Sequence, residues 1–408
     1  MNILFIHEVE WIDKVVFDIH YLAEALSLRG HQVFGIYYED KWSRKSLTDL
    51  VSPEKKMDNV SRAIPGASVS LTCPGYIKLP GLGRISAAVT HYRAIRNIIK
   101  ERKIDAIVLY SVPTNGLQTI SLAKIFNIPV IFRSIDILHQ LVPYPGLRPI
   151  TKFMEKKIYS KSDLILTLTP KGSSYVIELG APKEKVKWLK MPVDTVLFRP
   201  STDTAEMRHK LGYGESDQII VFIGTLFEFS GLDDLIRCFH KVIEEIPTVK
   251  LLIVGDGPQR QMLEEIILET GLSEQVIITG FKPYNTMPQY INLAALCLLP
   301  FRIAEVTRDI FPGKITQYLA CGKVVIATPL PGTTAVIPPD QGYLVYANGG
   351  EEVAQEIITL LKAPERRHPL EQEAVKYVTN EHSCDKIAQQ LENNIIGVIR
   401  KKKNGELS

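Results

Sequence analysis

The sequence has 408 residues, of which 45% are hydrophobic and 23% charged, so the length predicts about two globular domains and the composition excludes a disordered chain. Its five cysteines are scattered and odd in number, which supports neither a disulfide framework nor a zinc cluster and fits a reducing compartment. The net charge of +3 hides an asymmetry. Residues 1–197 carry 27 Lys and Arg against 18 Asp and Glu, a net of +9, whereas residues 198–408 carry 21 against 27, a net of −6.

The N-terminal half alternates short apolar runs with helical periodicity, a pattern typical of a parallel sheet covered by helices. Residues 2–7 predict a buried strand, and apolar side chains in helical spacing over 15–26 predict a helix that ends at Arg29-Gly30. The later predicted strands are 32–38, 105–110, 129–133, 163–169 and 186–190. The later predicted helices are 84–101, 116–126 and 149–160.

A second series begins after a proline-containing stretch, so we place a linker at 198–216 between an N-terminal domain, 1–197, and a C-terminal domain, 217–380. The second series has predicted strands at 218–223, 249–254, 275–278, 295–299 and 324–327. Its predicted helices are 231–246, 258–269, 313–321 and a terminal helical region at 351–400. The fold class is therefore α/β, with two doubly wound, Rossmann-like domains facing across a cleft, where ligands of such sheets bind.

The first residues lack the basic start and cleavage site of a signal peptide, and no apolar run reaches the roughly 18 residues that a bilayer requires. We therefore expect a cytoplasmic protein.

A glycine-containing turn, Gly255-Asp256-Gly257, stands between a predicted strand and a predicted helix. Glycines there let the backbone turn close to a ligand, and the helix N-terminus offers free N–H groups to an anion. A tight strand-to-helix turn explains the same pattern. A dinucleotide fingerprint fits this turn less well, because the third glycine that it needs is missing from Pro258-Gln259-Arg260.

Four blocks in order carry a resemblance to a known family: 251–258 (LLIVGDGP), 276–281 (VIITGF), 298–301 (LLPF) and 311–323 (FPGKITQYLACGK). They resemble the donor-binding half of family 4 glycosyltransferases. Residues 29–33 (RGHQV) and 127–130 (NIPV) extend the resemblance to most of the chain. It implies a GT-B fold, with residues 381–408 forming a C-terminal helix that packs back on the N-terminal domain and a basic tail. It also implies a nucleoside diphosphate sugar as donor, retention of the anomeric configuration, and no required cofactor.

The resemblance assigns catalysis to Asp136, Asp309 and Lys314. It assigns donor binding to a larger set along the C-terminal domain: Gly224, Thr225, Gly255, Asp256, Gly257, Phe281, Phe311, Pro312, Gly313, Lys314 and Gln317. The physical reason for the last group is that free helix-start N–H groups and the Lys314 cation stabilise a departing diphosphate. The alternative for Lys314 is a solvated lysine at a helix start.

The chain departs from the family pattern at several positions. Gln317 replaces the second of two acidic residues, although its amide still pairs with ribose hydroxyls. Thr225 and Ser230 replace a basic pair, and Ile135 replaces a histidine before Asp136. The candidate cations to replace the basic pair are Lys282, Arg302, Arg308 and Lys323, each of which is alternatively a surface charge.

The expected acceptor is a glycan, a glycolipid or other lipid-linked sugar, or a small molecule. The candidates to bind it are Glu8, Lys14 and His139, with His7, Glu10 and Asp13 nearby. Each is alternatively solvated. We expect no metal, because the histidines form no metal-binding pair and no D-x-D motif is present.

Residues 76–103 carry seven Lys and Arg against one Glu, interleaved with apolar residues. This pattern predicts a peripheral contact with an anionic membrane or a grip on a phosphorylated acceptor, with a solvated helix face as the alternative. Nucleic acid is not an expected partner.

The sequence therefore predicts a glycosyltransferase acting on an acceptor hydroxyl. The alternatives are a sugar-nucleotide epimerase or a phosphorylase of the same fold, and a non-catalytic partner subunit.

Overall fold

The computed structural model describes residues 1–13, 15–38, 50–79, 82–142 and 144–405. The chain divides into two compact units, each a sheet covered by helices. Unit 1 comprises Met1–Pro192 and Cys384–Ser408, and unit 2 comprises Val193–Ser383.

Unit 1 is built on an eight-stranded sheet with the order β10-β9-β8-β7-β1-β2-β5-β4, in which all neighbours are parallel except the edge strand β4. A separate antiparallel pair joins β3 to β6. The strands are β1 Asn2–Ile6, β2 Gln32–Ile36, β3 Val51–Ser52, β4 Lys55–Val60, β5 Val69–Cys73, β6 Tyr76–Ile77, β7 Ala106–Leu109, β8 Val130–Ser134, β9 Leu164–Thr167 and β10 Val186–Trp188. Chain order reverses between β1 and β7, the position where open parallel sheets bind ligands.

Five helices of unit 1 follow its strands, namely α1 Asp18–Leu28, α2 Leu82–Arg102, α3 Gly116–Ile125, α4 Arg148–Lys161 and α5 Pro170–Glu178. One hydrophobic cluster joins one face of the sheet to α2, α3, α4 and α5, and a second cluster joins the other face to α1. Because both faces are covered, the central strands are continuous apolar runs such as the fully buried Ile3 to Ile6.

Unit 2 contains a six-stranded, fully parallel sheet with the order β13-β12-β11-β14-β15-β16. Its strands are β11 Gln218–Ile223, β12 Val249–Val254, β13 Val276–Ile278, β14 Leu296–Leu299, β15 Val325–Ala327 and β16 Leu344–Tyr346. Its helices are α6 Ala205–Leu211, α7 Leu232–Glu245, α8 Arg260–Glu269, α9 Met287–Leu293, α10 Gly313–Ala320, α11 Pro331–Thr334, α12 Gly349–Lys362 and α13 Pro364–Glu381. Chain order reverses between β11 and β14.

The last helix, α14 Cys384–Lys403, packs against α1 and so belongs to unit 1. Ile387, Leu391 and Ile395 of α14 are fully buried in the cluster that includes α1. Glu392 of α14 accepts hydrogen bonds from Arg29 Nε and pairs with His31 Nε2, both at 2.8 Å.

The boundaries differ from the sequence prediction in three places. Residues 198–216, predicted as a linker, lie within unit 2, because Phe198 is fully buried beside Tyr284 and α6 forms in this stretch. The predicted helical region 351–400 is divided between α12, α13 and α14. Strands β3 to β6 and β16, which have two to six residues each, were not predicted, although Val69, Leu71 and Cys73 alternate with polar residues along β5.

A buried ion pair ties the strand ends of unit 1 to α1. Arg133, at the end of β8, donates to Asp18 at 2.7 Å with both side chains fully buried. Tyr110 Oη donates to the same carboxylate at 2.6 Å, and Arg133 Nη1 also donates to the carbonyl of Leu189 at 2.7 Å. Every charge in this network therefore has partners, as a buried ion pair requires.

Replacing Asp18 tests this network. We expect Asp18→Ala to lower the free energy of unfolding by about 3–5 kcal/mol, because Arg133 then remains buried without a counter-charge. The exposed pair between Asp385 and Arg29 gives a matched control, since Asp385→Ala should cost less than about 1 kcal/mol. Chemical denaturation followed by circular dichroism measures both. Equal midpoints for the two variants would contradict the role given to Asp18.

Candidate functional site

The residues predicted to bind the donor lie at the carboxyl edge of the unit 2 sheet. Gly224 and Thr225 follow β11, Gly255, Asp256 and Gly257 follow β12, and Phe281 follows β13. Because all six strands are parallel, these turns share one edge. Phe281 is 70% exposed there. The structure therefore brings the predicted loops together.

Gly255 and Gly257 are explained by contact between two loops of unit 2. A β-carbon at Gly255 would lie 1.8 Å from the carbonyl oxygen of Gly224, and one at Gly257 would lie 2.6 Å from the nitrogen of Leu226. The N–H of Leu226 donates to the carbonyl of Asp256 at 3.0 Å. Close backbone packing therefore requires both glycines whether or not a ligand binds, and their contact with a donor stays a prediction.

Asp256 has partners within its own turn. Its carboxylate accepts from the N–H of Gly257 at 2.8 Å and from Arg260 at 2.9 Å, and these two hydrogen bonds lower its pKa. Arg260 in turn pairs with Glu264 at 2.8 Å. Asp256 therefore stabilises the turn that begins α8.

Lys314 occupies the first turn of α10, where helix-start N–H groups lack intrahelical partners. Its ammonium lies over the turn after β11, since a β-carbon at Gly224 would be 3.0 Å from Lys314 Nζ. Burial lowers the pKa of Lys314 from 10.5 to about 8. Within the described ranges, no carboxylate pairs with it and its side chain makes no hydrogen bond. A desolvated cation beside free N–H groups is suited to an anionic ligand.

The neighbours of Lys314 have different surroundings. Gln317 Nε2 donates to Tyr284 Oη at 3.3 Å, which leaves the amide oxygen of Gln317 to accept from a ligand. Phe311 is buried and stacks on His382 with ring centroids 5.7 Å apart, so packing explains it. Pro312 is also buried and precedes Gly313, the first residue of α10. Asp309 lies in the loop before α10, and its backbone packs against Gly332.

Two of the four candidate cations for the family's basic pair already have partners within unit 2. Arg302 pairs with Asp233 at 2.6 Å and with Asp234 at 2.8 Å. Lys323 donates to the carbonyl of Asn292 at 3.1 Å. Arg302 and Lys323 therefore stabilise unit 2 itself, whereas no ion pair is present at Arg308 or Lys282 among the described residues. Arg308 is exposed.

In the loop before α7, contacts within unit 2 explain Ser230 and Gly231 without a ligand. Ser230 is buried and its hydroxyl donates to the carbonyl of Phe227 at 2.6 Å. Gly231 has φ +66°, and a β-carbon there would lie 2.0 Å from the carbonyl oxygen of Pro300, so only glycine fits. Thr225 is exposed.

In unit 1, Glu8 follows β1 at the position where strand order reverses. Its carboxylate accepts from the N–H groups of Thr114 and Asn115 at 2.6 and 2.7 Å and lies 3.4 Å from Arg84. Burial raises the pKa of Glu8, and these hydrogen bonds oppose the rise. Glu8 is therefore not solvated: it fixes the segment before α3, and a contact with the acceptor stays a prediction.

Asp136 lies two residues beyond β8 and is half-buried. Burial raises its pKa, and the negative charge of Asp18 adds to the rise. No hydrogen bond or cation reaches the Asp136 carboxylate within the described part of the chain. Asp136 in unit 1 therefore resembles Lys314 in unit 2, because each is a desolvated ionisable side chain without a partner of opposite charge among the residues that the structure describes.

His139 is held by a buried carboxylate. Both its backbone N–H and its Nδ1 contact Glu155, at 3.1 and 2.9 Å, and Tyr175 Oη donates to Glu155 at 2.8 Å. Glu155 is fully buried. His139 therefore has a structural partner, and its predicted contact with the acceptor is untested. Lys14, also predicted to bind the acceptor, lies outside the described residues.

Sequence reasoning missed a group of buried polar side chains behind Glu8. His91 of α2 is fully buried, and burial lowers its pKa to about 4, so its imidazole is neutral. Ser111 and Thr119 are also buried, and their hydroxyls have no hydrogen-bond partner among the described residues. The only available signal was a polar residue on an otherwise apolar face.

Two general features of the described residues bear on the prediction. No group of three or more His, Cys, Asp or Glu side chains among them is placed to hold a metal ion, and metal independence stays a prediction. No helix in this part of the chain is long and apolar enough to cross a membrane.

Residues 16–190 match the model of the glycosyl transferase 4-like domain, and residues 203–377 match that of the glycosyl transferases group 1. The chain is 25% identical over 249 residues to the N-acetyl-alpha-D-glucosaminyl L-malate synthase of Bacillus anthracis, a match that covers 60% of this chain and 63% of that protein. It is 26% identical over 226 residues to a GDP-mannose-dependent phosphatidylinositol monomannoside mannosyltransferase of Mycolicibacterium smegmatis, with coverages of 54% and 59%.

The matched region therefore spans less than two thirds of the length of these curated relatives. Among solved structures, HepE of Anabaena in complex with UDP has a TM-score of 0.73 at 17% identity, over 97% of this chain and 100% of that one. This similarity shows the GT-B fold. Because a 4-like domain precedes a group 1 domain on that fold, the chain belongs to family 4 of the glycosyltransferases.

Proposed function

We propose that the chain transfers a sugar from a nucleoside diphosphate sugar, bound by unit 2, to a hydroxyl group of an acceptor bound by unit 1. The observation that carries the proposal is the partnerless, desolvated Lys314 at the start of α10, beside the turn that follows β11. A diphosphate would supply the missing negative charge. The relatives that use GDP-mannose and the neighbour bound to UDP support a nucleotide of this class.

In the proposed reaction, the acceptor oxygen forms a bond to the anomeric carbon while the bond from that carbon to the diphosphate oxygen breaks. The hydroxyl proton passes to the departing diphosphate, so the reaction needs no separate side-chain base. Lys314 and the α10 N–H groups stabilise the negative charge that develops on the leaving group. Retention of the anomeric configuration, and the absence of a cofactor, are part of this proposal.

For the acceptor we propose a glycan or a lipid-linked sugar, because the mannosyltransferase relative is named for a phosphatidylinositol monomannoside. Asp136 is the candidate to contact the acceptor hydroxyl, since its carboxylate is the desolvated charge at the unit 1 edge. We also propose a peripheral contact of α2 with anionic membrane. A reducing compartment is supported by the five cysteines, none of which forms a disulfide within the described part of the chain.

A second candidate function is that of a non-catalytic partner subunit. It is favoured by the buried Ser230, whose hydroxyl bonds to the backbone, and by Arg302, which is neutralised by two aspartates. Lys314 argues against this candidate, because a subunit that binds no nucleotide gains nothing from a desolvated lysine.

Ligand-induced stabilisation tests donor binding. We expect UDP, GDP or one of their sugar conjugates to raise the melting temperature by several degrees, since a ligand at about 100 times its Kd adds roughly 2.7 kcal/mol to stability. Mass spectrometry of a candidate acceptor should then show the added sugar. If no nucleoside diphosphate and no sugar nucleotide shifts the melting temperature, the proposed function is wrong and the partner-subunit alternative gains support.

The variant Lys314→Met distinguishes the effect of this cation on stability from its effect on UDP binding. The unfolded chain binds the lysine proton more tightly than the folded one, so below pH 8 the charge costs up to about 3 kcal/mol of stability. We therefore expect Lys314→Met to melt higher than the wild type at pH 7, with the difference disappearing as the pH rises to 10.5. The affinity of Lys314→Met for UDP should be about tenfold or more below that of the wild type.

Lys241→Met is the matched control for Lys314→Met, because Lys241 is exposed and ion-paired with Glu351. It should change neither the UDP affinity nor the pH dependence of melting. Unchanged UDP binding in Lys314→Met would remove Lys314 from the donor site.

Asp136→Asn tests the acceptor side. The folded protein holds the Asp136 proton more tightly than the unfolded chain does, so ionisation of this carboxyl destabilises unit 1 above its folded pKa. We expect Asp136→Asn to melt higher at pH 8, to match the wild type as the pH falls below 3.8, and to lose transfer activity while UDP binding is unchanged. Asp385→Asn, at an exposed site, should retain activity. Full transfer activity in Asp136→Asn would exclude a role in the reaction.

A further inference from the structure

We propose that the outer side of the α2, α3 and α4 layer of unit 1 docks on an anionic lipid bilayer. This proposal deepens the membrane contact within the proposed function, and it extends that contact from α2 to α4 and the loop before it. We call this region the docking surface and define it by three segments, 84–100, 141–142 and 144–157. It is one surface because α3 packs against both α2 and α4 on the same face of the sheet.

The docking surface exposes large apolar side chains at close spacing. Five of them recur at every third residue through the loop before α4 and into the helix, and each is 49–71% exposed: Leu141, Tyr144, Leu147, Ile150 and Phe153. Helix α2 adds Ile85, Val89 and Tyr92, which are 37–64% exposed. Single exposed apolar residues are ordinary, but a grouped set marks a surface that binds another apolar phase.

The charge around these side chains is almost all positive. Each of α2 and α4 carries five Lys and Arg against one Glu. The glutamate of α4, Glu155, is buried and bonded to His139 and Tyr175, so it does not neutralise the surface. Among the described residues, no carboxylate pairs with Arg93, Arg96, Lys152 or Lys156. Long basic side chains of this kind can rest their aliphatic stems on apolar surface while their cations contact lipid phosphate groups.

A pocket opens on this surface between α2 and α3. Its lining combines two arginines, an amide and three less polar residues, namely Arg93, Arg96, Gln118, Ala88, Val89 and Tyr92. The amide nitrogen of Gln118 donates to the carbonyl of Thr114 at 2.8 Å and to Asn115 Oδ1 at 3.0 Å, which fixes this side chain. Two guanidinium groups one helical turn apart suit a phosphate, and the apolar wall suits the glycerol and acyl part of a lipid headgroup.

The grouping of apolar with basic side chains favours an anionic bilayer over a nucleic acid as the partner of the docking surface. A nucleic acid would pair with the arginines but would leave Leu147, Ile150 and Phe153 in water. A bilayer with anionic headgroups meets both needs, since the cations contact phosphates while aliphatic and aromatic side chains enter the interface.

Co-sedimentation with lipid vesicles tests the proposal on the full chain, without donor or acceptor. We expect binding to vesicles that contain phosphatidylglycerol, weaker binding at high salt, and little binding to phosphatidylcholine alone. Two double variants address the two components separately. Arg93→Gln with Arg96→Gln removes charge, Ile150→Ser with Phe153→Ser removes apolar contact, and each should weaken binding about tenfold or more.

The matched control is Arg400→Gln with Lys401→Gln, which removes the same charge from α14 on the other face of the unit 1 sheet. The control should bind vesicles like the wild type, and circular dichroism should show that all three double variants are folded. No binding to phosphatidylglycerol vesicles would overturn the proposal, and so would an equal loss of binding in the control. Binding to an acidic protein without any binding to vesicles would also overturn it. UDP binding is measured separately. Binding to vesicles without binding to UDP would support the docking surface and contradict the transferase function. Binding to UDP without binding to vesicles would support the transferase function and contradict the docking surface.

Discussion

The candidate donor site depends on one constraint, which is that the Lys314 ammonium is partly removed from water without receiving a counter-charge. Burial lowers its pKa to about 8, so the charge is retained at neutral pH at a cost in stability. Arg302, by contrast, is neutralised by two aspartates of α7. Lys314 lies at the start of α10 and beside the turn where strand order reverses. An unpaired cation at such a position can bind an external anion, so the strand topology and the start of α10 both support the proposed chemistry.

Unit 1 shows the same contrast with the signs exchanged. The Asp18 carboxylate is fully buried but bonded to Arg133 and Tyr110, so it stabilises the edge of the sheet. Asp136 follows the same strand as Arg133, yet its carboxylate has no such partner in the described residues, and the nearby Asp18 raises its pKa. Satisfied polar networks specify a fold, whereas unsatisfied charges reduce stability and are retained where function uses them.

The sequence predicted the parts of the fold that depend on continuous apolar runs. Strands β11 and β12 begin and end at the predicted residues, because buried parallel strands are apolar on both faces. The edge strand β4, with the sequence KKMDNV, was missed because it is mostly solvated. Of the site, the position of Lys314 at a helix start was predicted from Pro312-Gly313. The loop contact that explains Gly255 and Gly257, and the backbone bonds of Glu8, depend on residues distant in sequence and had no local signal.

The chain leaves unit 1 at Pro192 and returns to it only at Cys384, so unit 2 is an insertion within the other unit's fold. The two ends of this insertion pair directly, since the N–H of Val193 donates to the carbonyl of His382 at 2.8 Å. During synthesis, Ile19 and Leu22 of α1 therefore stay uncovered by α14 until all of unit 2 has been made. Unit 2 has its complete set of strands and helices before α14 is synthesised, so unit 2 is able to fold before the unit 1 core is closed.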